Sequence, residues 1–596
     1  IAPSPLSIKP SLFHFNSRPG AGRRSVARFA SAMDSSRLYL GIDMGTSGGR
    51  AMVIDGEGVF IFVFLFRRRC LFRPPLSYHP PLFPSSDSGT VVATAKKAYP
   101  AHPPDATVPR DWAETWARAL DDLLEELSRK NSSSSSSTSV LARVASAAVA
   151  GTSASMLLVD AGNEEDEGED DDDENENEDE SEENRTKTGA PLAPVRLYCD
   201  AASADAVAAT TAMAPPGHQA AAPTSALSKL MDWWVSGKIE AEEKKEKKNK
   251  SKKKKRAVVP VVVSAADWLT ARLGRVGPPS PSPSPSSSSL SSPPRSSDDG
   301  RFLRSRLFVT DDNNQLKAGW DPGSGEYEPW LRGHPAAAHL APRVLRPGDA
   351  TGCEVEKGSK TSSSSTYLPA GCLLACGTTD SIAATLAAGV RSTPGDAVTS
   401  LGSSLAIKLV SETRVDDGGR GIYSHLIPGE TAGQSVWLVG GSSNTGCAVF
   451  RSEFGADDSV LESLTAEIEK EEETSSSSSS STNLNYYPLP RRGERFPVCD
   501  PEKQPILGPR PASDALHLKA ILEGITEIER AGFAALEELG APKPVRVLTA
   551  GGGAKNKVWT RMRAEALRPA VVSAAEEGEA AYGAALLARR AVTGKW

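Results

Sequence analysis

Two short segments, far apart in the chain, combine closely spaced glycine and hydroxyl residues with flanking apolar stretches. The first is Asp43-Met44-Gly45-Thr46-Ser47, and the second is Gly402-Ser403-Ser404. Each pattern predicts an antiparallel hairpin with a tight turn. Glycine lets the backbone approach a ligand closely, and turn N–H and hydroxyl groups suit phosphate oxygens. The sequence therefore predicts two related half-molecules that face each other across a nucleotide.

A second acidic candidate, Asp380, precedes the segment Ser381–Ala388, whose small and apolar residues predict a helix that ends at Gly389. The local pattern alone indicates a helix N-cap. A carboxylate at a helix N-terminus is stabilised by the helix dipole, which makes it a weak base. A weak base suffices where proton transfer occurs late in a loose transition state.

A third candidate site is the triple glycine Gly551–Gly553, which follows the apolar segment Val545–Thr549 and precedes Asn556. The pattern predicts a buried strand, a turn and a helix. Proteins that alternate strands and helices bind ligands at the ends of strands. The glycines could instead serve only close packing of the strand against the helix.

Together these segments resemble the FGGY carbohydrate kinases, members of the actin, Hsp70 and hexokinase superfamily. Cys376–Asp380, Gly440–Gly446 and Gly583–Ala585 add to the resemblance, and all of them occur in the order typical of the family. The resemblance implies an α/β fold with two actin/hexokinase-like (ribonuclease H-like) domains flanking an ATP and sugar cleft. We expect these domains at residues 37–390 and 391–596.

The resemblance also implies roles for individual residues. Asp380 would be the general base that accepts the proton of the attacking sugar hydroxyl. Asp43 and Asp380 would hold Mg²⁺ through water, because ionised carboxylates only accept hydrogen bonds and suit hydrated cations. ATP would be bound by Asp43, Gly45, Thr46, Ser47, Gly402, Ser403, Ser404, Gly551, Gly552, Gly553 and Asn556.

The sugar pocket departs from the better-known family patterns. Gly151-Thr152-Ser153-Ala154-Ser155 stands where bacterial-type xylulose kinases carry a Met-His pair. This small, hydroxylated segment resembles that of plastid and cyanobacterial D-ribulose kinases. The resemblance implies that Thr152, Ser153 and Ala154 bind the substrate. Asp200 falls in a region where the family carries Trp and Arg that are missing here, so we expect a structural role. Asp312 and Asn313 are expected to support the site.

The predicted activity is ATP-dependent phosphorylation of a ketopentose, with D-ribulose giving D-ribulose 5-phosphate as the favoured reaction and D-xylulose as the second. Two other classes stay open at this stage. A chaperone ATPase would share the first turn, although the second phosphate segment of chaperones, D-L-G-G-G-T, does not occur. A catalytically silent relative that acts by binding is the third possibility. A Walker-type kinase is disfavoured because G-x-x-x-x-G-K-[ST] is absent.

Composition limits the partners. The 596 residues carry a formal net charge of −7, which does not indicate binding to nucleic acid. The apolar segment Val59–Phe66 is too short to span a bilayer. Seven cysteines without a C-x-x-C pair suit a reducing compartment. We therefore expect a small-molecule sugar as the partner, with neither nucleic acid nor membrane, while the oligomeric state is not indicated.

Several segments are expected to lie outside the folded domains. Residues 1–36 begin without Met and contain basic residues and serines but no acidic residue before Asp34, which is typical of an organellar transit peptide. We expect a chloroplast (plastid stroma) location, with mitochondrion or cytoplasm as alternatives. Residues 59–89 are rich in Phe, Leu, Pro and Ser and are interpreted as a translated intron. Disordered insertions are predicted near residues 59–89, 131–138, 163–188, 241–256 and 277–300.

Overall fold

The computed structural model describes residues 37–45, 47–56, 89–100, 110–130, 138–161, 189–244, 258–274, 308–341, 343–355, 367–431, 433–455, 458–474, 482–568, 570–575 and 579–596. Its strands are β1 (Leu38–Met44), β2 (Gly48–Asp55), β3 (Val91–Ala98), β4 (Val144–Gly151), β5 (Met156–Asp160), β6 (Pro260–Ser264), β7 (Val309–Asp311), β8 (Trp320–Asp321), β9 (Glu326–Tyr327), β10 (Arg343–Leu345), β11 (Ala350–Glu354), β12 (Leu373–Ala375), β13 (Thr378–Thr379), β14 (Asp396–Leu401), β15 (Leu405–Ser411), β16 (Tyr423–Pro428), β17 (Ser435–Ser443), β18 (Arg546–Ala550) and β19 (Val571–Ala574). Its α-helices are α1 (Trp112–Ser128), α2 (Ala204–Met213), α3 (Ala226–Val235), α4 (Lys238–Lys244), α5 (Ala265–Leu273), α6 (Asp312–Gln315), α7 (Pro329–Arg332), α8 (Asp380–Ala387), α9 (Ala448–Phe454), α10 (Asp458–Thr474), α11 (Asp514–Glu538), α12 (Lys557–Ala566) and α13 (Ala580–Thr593).

Two sheets of matching topology form the body of the molecule. In the first sheet the strand order is β11-β12-β4-β1-β2-β3, and in the second it is β16-β17-β15-β14-β18-β19. Each sheet contains an antiparallel hairpin, β1–β2 or β14–β15, with a third antiparallel strand on one side. On the other side, each has two parallel strands. This repetition confirms the predicted α/β fold with two related domains.

The parallel strands are covered on both faces, which explains their continuous apolar composition. Every residue of β1 is buried, and β4 and β14 each have only one partly exposed residue. At its outer side the first sheet packs against α1, which presents Trp116, Leu120 and Leu124 to the core. Strand β3 at the sheet edge is half-exposed instead and alternates between buried and exposed residues.

Two helices, α8 and α13, form the layer shared by both sheets. Their side chains make one core cluster with residues of the first sheet such as Ala148 and of the second such as Val398. The packing is close enough to require glycine. A Cβ on Gly583 in α13 would lie 1.9 Å from the Ala383 carbonyl oxygen of α8, and a Cβ on Gly41 in β1 would lie 2.0 Å from the Ala581 carbonyl oxygen.

A further lobe is inserted in the first domain, between β4 and β11. The antiparallel pair of β5 and β6 packs with α2, α3 and α4 around an apolar cluster of its own, which contains Leu158, Leu227, Trp233 and Val262. Within the described residues, no helix is long and apolar enough to cross a membrane.

Most sequence-predicted elements around the site are present. The hairpins, α8 and the strand before the triple glycine all lie where they were predicted. Helix α8 is followed by Gly389 at φ 100°, as its predicted end requires. Beside β5, residues 194–198 form no strand, and Arg196 makes an isolated bridge to Met156.

Other predictions concern residues that the structure does not describe. The predicted transit peptide, residues 1–36, lies outside the described residues. So do these parts of the predicted insertions: residues 57–88, 131–137, 162–188, 245–257 and 275–307. The domain boundary at residue 390 stays a prediction. Helix α13 comes from the second of the two segments, yet it packs against β1 and β4 of the first sheet.

The substitution Gly583→Ala should lower the free energy of unfolding by about 1–3 kcal/mol, because a methyl group must displace the α8 backbone. The matched control is Gly333→Ala, where a Cβ meets no heavy atom within 4 Å and the glycine has φ −78°. Urea denaturation of both variants tests the packing. Equal midpoints for the two variants would contradict the close contact of α8 with α13.

Candidate active site

Asp43 lies at the end of β1, beside the carboxyl ends of two neighbouring strands. Strand β4 runs parallel to β1 with Gly151 opposite Met44, and β13 runs parallel to β4 with Thr379 opposite Gly151. The residues that follow these strands therefore gather at one edge of the sheet. The gathered residues are Asp43, the segment beginning at Thr152, and Asp380.

The Asp43 carboxylate is buried and only partly satisfied. Its Oδ2 atom accepts a hydrogen bond from Arg50 across the hairpin at 3.4 Å, and its Oδ1 atom has no hydrogen-bond partner. Burial and, to a smaller extent, the charge on Asp380 raise the pKa of Asp43 to about 7, while Arg50 opposes this rise. Arg50 is shared, because its Nε also pairs with Glu579 at 2.7 Å.

Asp380 is the first residue of α8, and its neighbour caps the helix. Thr379 is the N-cap, with its hydroxyl accepting from the backbone N–H of Ile382, so the N-cap role predicted for Asp380 is wrong. The Asp380 Oδ1 accepts from the backbone N–H of Ser381 at 2.7 Å. Burial raises the pKa of Asp380, and the Ser381 N–H and the Lys317 charge lower it by less. The effect of burial on the pKa of Asp380 is thus larger than that of the helix N-terminus, and Asp380 is a stronger base than predicted.

The turn of the first hairpin is tied to the backbone around it. The N–H of Gly45 donates to the carbonyl of Gly48 at 3.1 Å, and the Tyr99 hydroxyl donates to the carbonyl of Gly45 at 3.1 Å. Ser47 is exposed, and its carbonyl accepts from the Tyr99 N–H. Thr46, the remaining predicted residue of this turn, lies outside the described residues.

The turn of the second hairpin, Gly402-Ser403-Ser404, contacts the start of α9. The carbonyls of Gly402 and Ser403 accept from the N–H groups of Cys447 and Ala448. Gly446 has φ 142°, and a Cβ there would lie 2.7 Å from the Ser404 carbonyl carbon. This contact leaves the hydroxyl of Ser403 exposed, where it accepts from Arg451 at 2.9 Å.

The triple glycine lies beside that turn, because β18 runs parallel to β14 with Ala550 opposite Ser400. Gly551 has φ 87°, and a Cβ on it would lie 2.7 Å from the Leu401 carbonyl oxygen. Gly553 packs against Trp559, whereas a Cβ on Gly552 would meet no heavy atom within 4 Å. Gly551 and Gly553 thus serve the packing, and the open side of the turn is at Gly552.

Asn556 has a structural task in this conformation. Its Oδ1 atom caps α12 by accepting from the Trp559 N–H at 3.0 Å, and its Nδ2 atom donates to the Thr465 hydroxyl at 3.1 Å. These two bonds do not exclude a contact with adenosine, because the side-chain amide has two N–H donors and two oxygen lone pairs. The predicted role of Asn556 in ATP binding stays a prediction.

The loop between β4 and β5 carries the predicted sugar contacts, which differ in exposure. Thr152 and Ser153 are half-exposed, and Ser153 lines a polar pocket. Ala154 is buried at φ 62°, an unfavourable conformation for a residue other than glycine. The fully buried Lys229 holds it there by donating to the carbonyls of Ala154 and Leu197 at 2.7 and 2.6 Å. Ala154 therefore shapes the loop and presents no side chain to the pocket.

The two supporting predictions differ in outcome. Asp200 accepts from the Leu197 N–H at 2.7 Å, which is the structural turn expected of it. Asn313 does more than support the loop, because its amide binds both the N–H and the carbonyl of Leu426, at 3.1 and 3.0 Å, on edge strand β16. It thereby joins the first domain to the second. Asp312 accepts from the indole N–H of Trp320 at 2.8 Å.

The polar pocket lies between the two domains, next to the carboxyl edge of the first sheet. Side chains flanking Asp380 form one part of it, and strand β16 of the second sheet forms another. The sequence analysis identified two of its residues, Ser153 and Asn313, and missed those that come from distant segments. The lining residues are Ser153, Gln219, Asn313, Leu316, Lys317, Thr379, Ser381, Tyr423 and His425.

Behind the pocket lies a buried lysine on β15. The Lys408 Nζ atom lies 3.0 Å from His425 Nδ1 and 4.8 Å from the ring centre of Tyr423. Burial, with a smaller effect of the positive charge of Lys317, lowers the pKa of Lys408 to about 7. Burial and the Lys408 charge hold the pKa of His425 well below its usual value.

The residues present fit a hydrated divalent cation and a nucleotide. Asp43 Oδ1 is a buried acceptor without a donor, which is the kind of atom that a hydrated cation satisfies. Among the described residues, no three His, Cys, Asp or Glu side chains converge as direct metal ligands, so water and phosphate oxygens would complete the coordination. The open side of Gly552 and the exposed Ser403 leave room for nucleotide atoms.

Comparison with known proteins agrees with this architecture. Residues 397–592 match the C-terminal domain of the FGGY family of carbohydrate kinases. The xylulose kinase of Streptomyces rubiginosus is 38% identical over 126 residues, which are 20% of this chain and 24% of that protein. The alignment thus spans about a quarter of that curated relative.

Solved structures resemble the whole chain. A crystal structure of a xylulose kinase from Rhodospirillum rubrum superposes with a TM-score of 0.58 at 20% identity, covering 93% of this chain and 90% of that one. The ADP complex of glycerol kinase from Plasmodium falciparum gives 0.59 at 14% identity, with coverages of 93% and 90%. At such identities the likeness shows the fold.

The buried carboxylate of Asp43 should make the protein less stable as the pH rises. Its folded pKa, about 7, lies above the value near 3.9 of an unfolded aspartate, so ionisation between these values favours unfolding. Asp43→Asn removes this cost, and should raise the free energy of unfolding by on the order of 2 kcal/mol more at pH 8 than at pH 5.

Thermal unfolding at the two pH values measures this difference. Asp122→Asn is the control, because Asp122 is exposed and pairs with Lys97 at the surface. A gain from Asp43→Asn that is equal at both pH values would show that Asp43 does not titrate in this range.

Proposed function

We propose that this protein transfers the γ-phosphoryl group of ATP to a sugar hydroxyl. The premise is that residues 397–592 match the C-terminal domain of the FGGY carbohydrate kinases and that the chain has the fold of known sugar kinases. One observation carries the proposal. Asp43 and Asp380 lie close enough to interact at the edge of the first sheet, and the pocket beside Asp380 is lined by polar side chains from both domains.

Asp380 is the base of the proposed reaction. Phosphoryl transfer requires position and charge compensation more than covalent chemistry from the protein. Burial raises the pKa of Asp380, so the carboxylate accepts the proton of the attacking hydroxyl more readily than an exposed aspartate does. The Ser381 N–H bond fixes one oxygen of the carboxylate and orients the other.

Asp43 and the turns compensate the charge of the phosphates. The orphan Oδ1 of Asp43 and the carboxylate of Asp380 would hold the hydration shell of Mg²⁺, which supplies charge neutralisation of phosphate oxygens when bound. The exposed hydroxyls of Ser47 and Ser403 offer donors to phosphate oxygens. Gly552 leaves the space in which the nucleoside would lie.

The proposed acceptor is a ketopentose, with D-ribulose giving D-ribulose 5-phosphate. The small loop Thr152–Ser155, without the Met-His pair of bacterial-type xylulose kinases, supports D-ribulose. D-xylulose is the alternative, and known xylulose kinases share the fold. The two sugars differ at one carbon centre, which a polar pocket distinguishes only by the exact placement of its donors and acceptors.

Asp380→Asn should lower kcat by roughly 10²- to 10⁴-fold with D-ribulose, because the amide cannot accept the hydroxyl proton. Binding of ATP, measured by calorimetry, should change little. Asp205→Asn is the matched control, since Asp205 lies in the first turn of α2 but is exposed and does not line the pocket.

A panel of ketoses and polyols, assayed for ADP release with the full chain, identifies the acceptor. Turnover on D-xylulose in preference to D-ribulose would keep the mechanism and correct the substrate. ATP binding without turnover on any sugar would refute the kinase and favour a silent relative that acts by binding.

We also propose that the protein acts in the plastid, on the basis of the basic, serine-containing residues 1–36. Fused to a fluorescent protein, this segment should direct it to the chloroplast stroma of a plant or algal cell. Fluorescence in the mitochondrion or the cytosol would refute the plastid location and would not bear on the proposed reaction.

A further inference from the structure

Lys317 is a cation in the pocket that the mechanism above does not use. It lines the pocket together with Thr379 and Ser381, the two neighbours of Asp380 in the chain. In the part of the chain that the structure describes, no carboxylate oxygen lies within the 4.0 Å that defines an ion pair with its ammonium. Asp380 is close enough that its charge raises the pKa of Lys317, although burial lowers that pKa by more. The two groups therefore share the pocket without contact.

Two acceptors near Lys317 are already engaged. The Oδ1 atom of Asn313 accepts from the Leu426 N–H at 3.1 Å, and Nδ1 of His425 lies 3.0 Å from the Lys408 Nζ. An ammonium has three donors and no acceptor. It therefore matches a ligand oxygen that only accepts, whereas a hydroxyl oxygen in the same place must also direct its own hydrogen to an acceptor.

A ketose offers such an oxygen only in its open-chain form. In the five-membered ring of a 2-ketopentose, the terminal hydroxyl is consumed by its bond to the carbonyl carbon. A kinase that phosphorylates this hydroxyl must therefore bind the open chain, in which the ketone is free. The same molecule then presents a hydroxyl to Asp380 and a carbonyl oxygen to Lys317.

We propose that Lys317 is the specificity-determining residue that donates to the ketone oxygen of the open-chain sugar and thereby selects ketoses over the corresponding alditols. This inference rests on the proposed sugar kinase function. It assigns Lys317 to the end of the substrate that does not react, and leaves proton transfer to Asp380.

The test compares D-ribulose with ribitol, its reduced form, in the wild type and in Lys317→Met. The substitution should lower kcat/KM for D-ribulose by roughly 10- to 100-fold and that for ribitol by less than about threefold, because a charge-assisted hydrogen bond is lost only with the ketone. Lys317→Arg, which keeps the charge and the donors, should retain part of the preference. Lys543→Met, at an exposed lysine, is the matched control and should change neither value.

Calorimetric binding of the two sugars to the same proteins separates this inference from the proposed function. If no sugar is phosphorylated, the proposed function fails, and a selective loss of D-ribulose binding in Lys317→Met would still support the ketone contact. Equal losses for D-ribulose and ribitol would overturn the inference while leaving the kinase intact. Preference of the wild type for an aldonate over D-ribulose would also overturn it, since the pocket would then select an anion.

Discussion

The structure depends on one electrostatic constraint, the burial of two carboxylates, Asp43 and Asp380, close to each other. Burial raises the pKa of both carboxylates, and the charge on Asp380 adds to the rise at Asp43. The protein offsets this only in part, through Arg50 on one side and Lys317 on the other. Asp43 keeps a buried acceptor atom without a donor, and burial leaves Asp380 more basic than an exposed aspartate.

The two domains repeat one topology but present different chemistry at equivalent turns. The first hairpin carries the carboxylate of Asp43 at the penultimate residue of its opening strand, where the second hairpin carries Ser400. The strand parallel to each hairpin also ends differently, in the loop after Gly151 and in the triple glycine after Ala550. In the proposed function, the same scaffold therefore provides the reacting edge in one half and room for a nucleoside in the other.

The features that could be predicted from the sequence are those that neighbouring residues determine. Hairpins and glycine turns are encoded by neighbouring residues, and Asp380 was identified from the segment around it. Its capping role was wrong because Thr379, one residue earlier, can cap α8 equally well by local rules. Lys317 and His425 were missed because no local pattern marks them; the fold alone brings these residues to Asp380 from separate segments. Ala154 was assigned to the substrate, but its orientation depends on Lys229, 75 positions away.

The position of α13 has a consequence for how the protein folds during its synthesis. This helix fills the space between α8 and β1, and Gly583 allows it to contact the backbone of α8. Because α13 follows every strand of both sheets in the chain, the ribosome delivers it only after the first sheet has been made. Until then the apolar surface of the first domain that α13 covers stays exposed. The second domain must be translated before α8, the helix that carries Asp380, can be fixed in place.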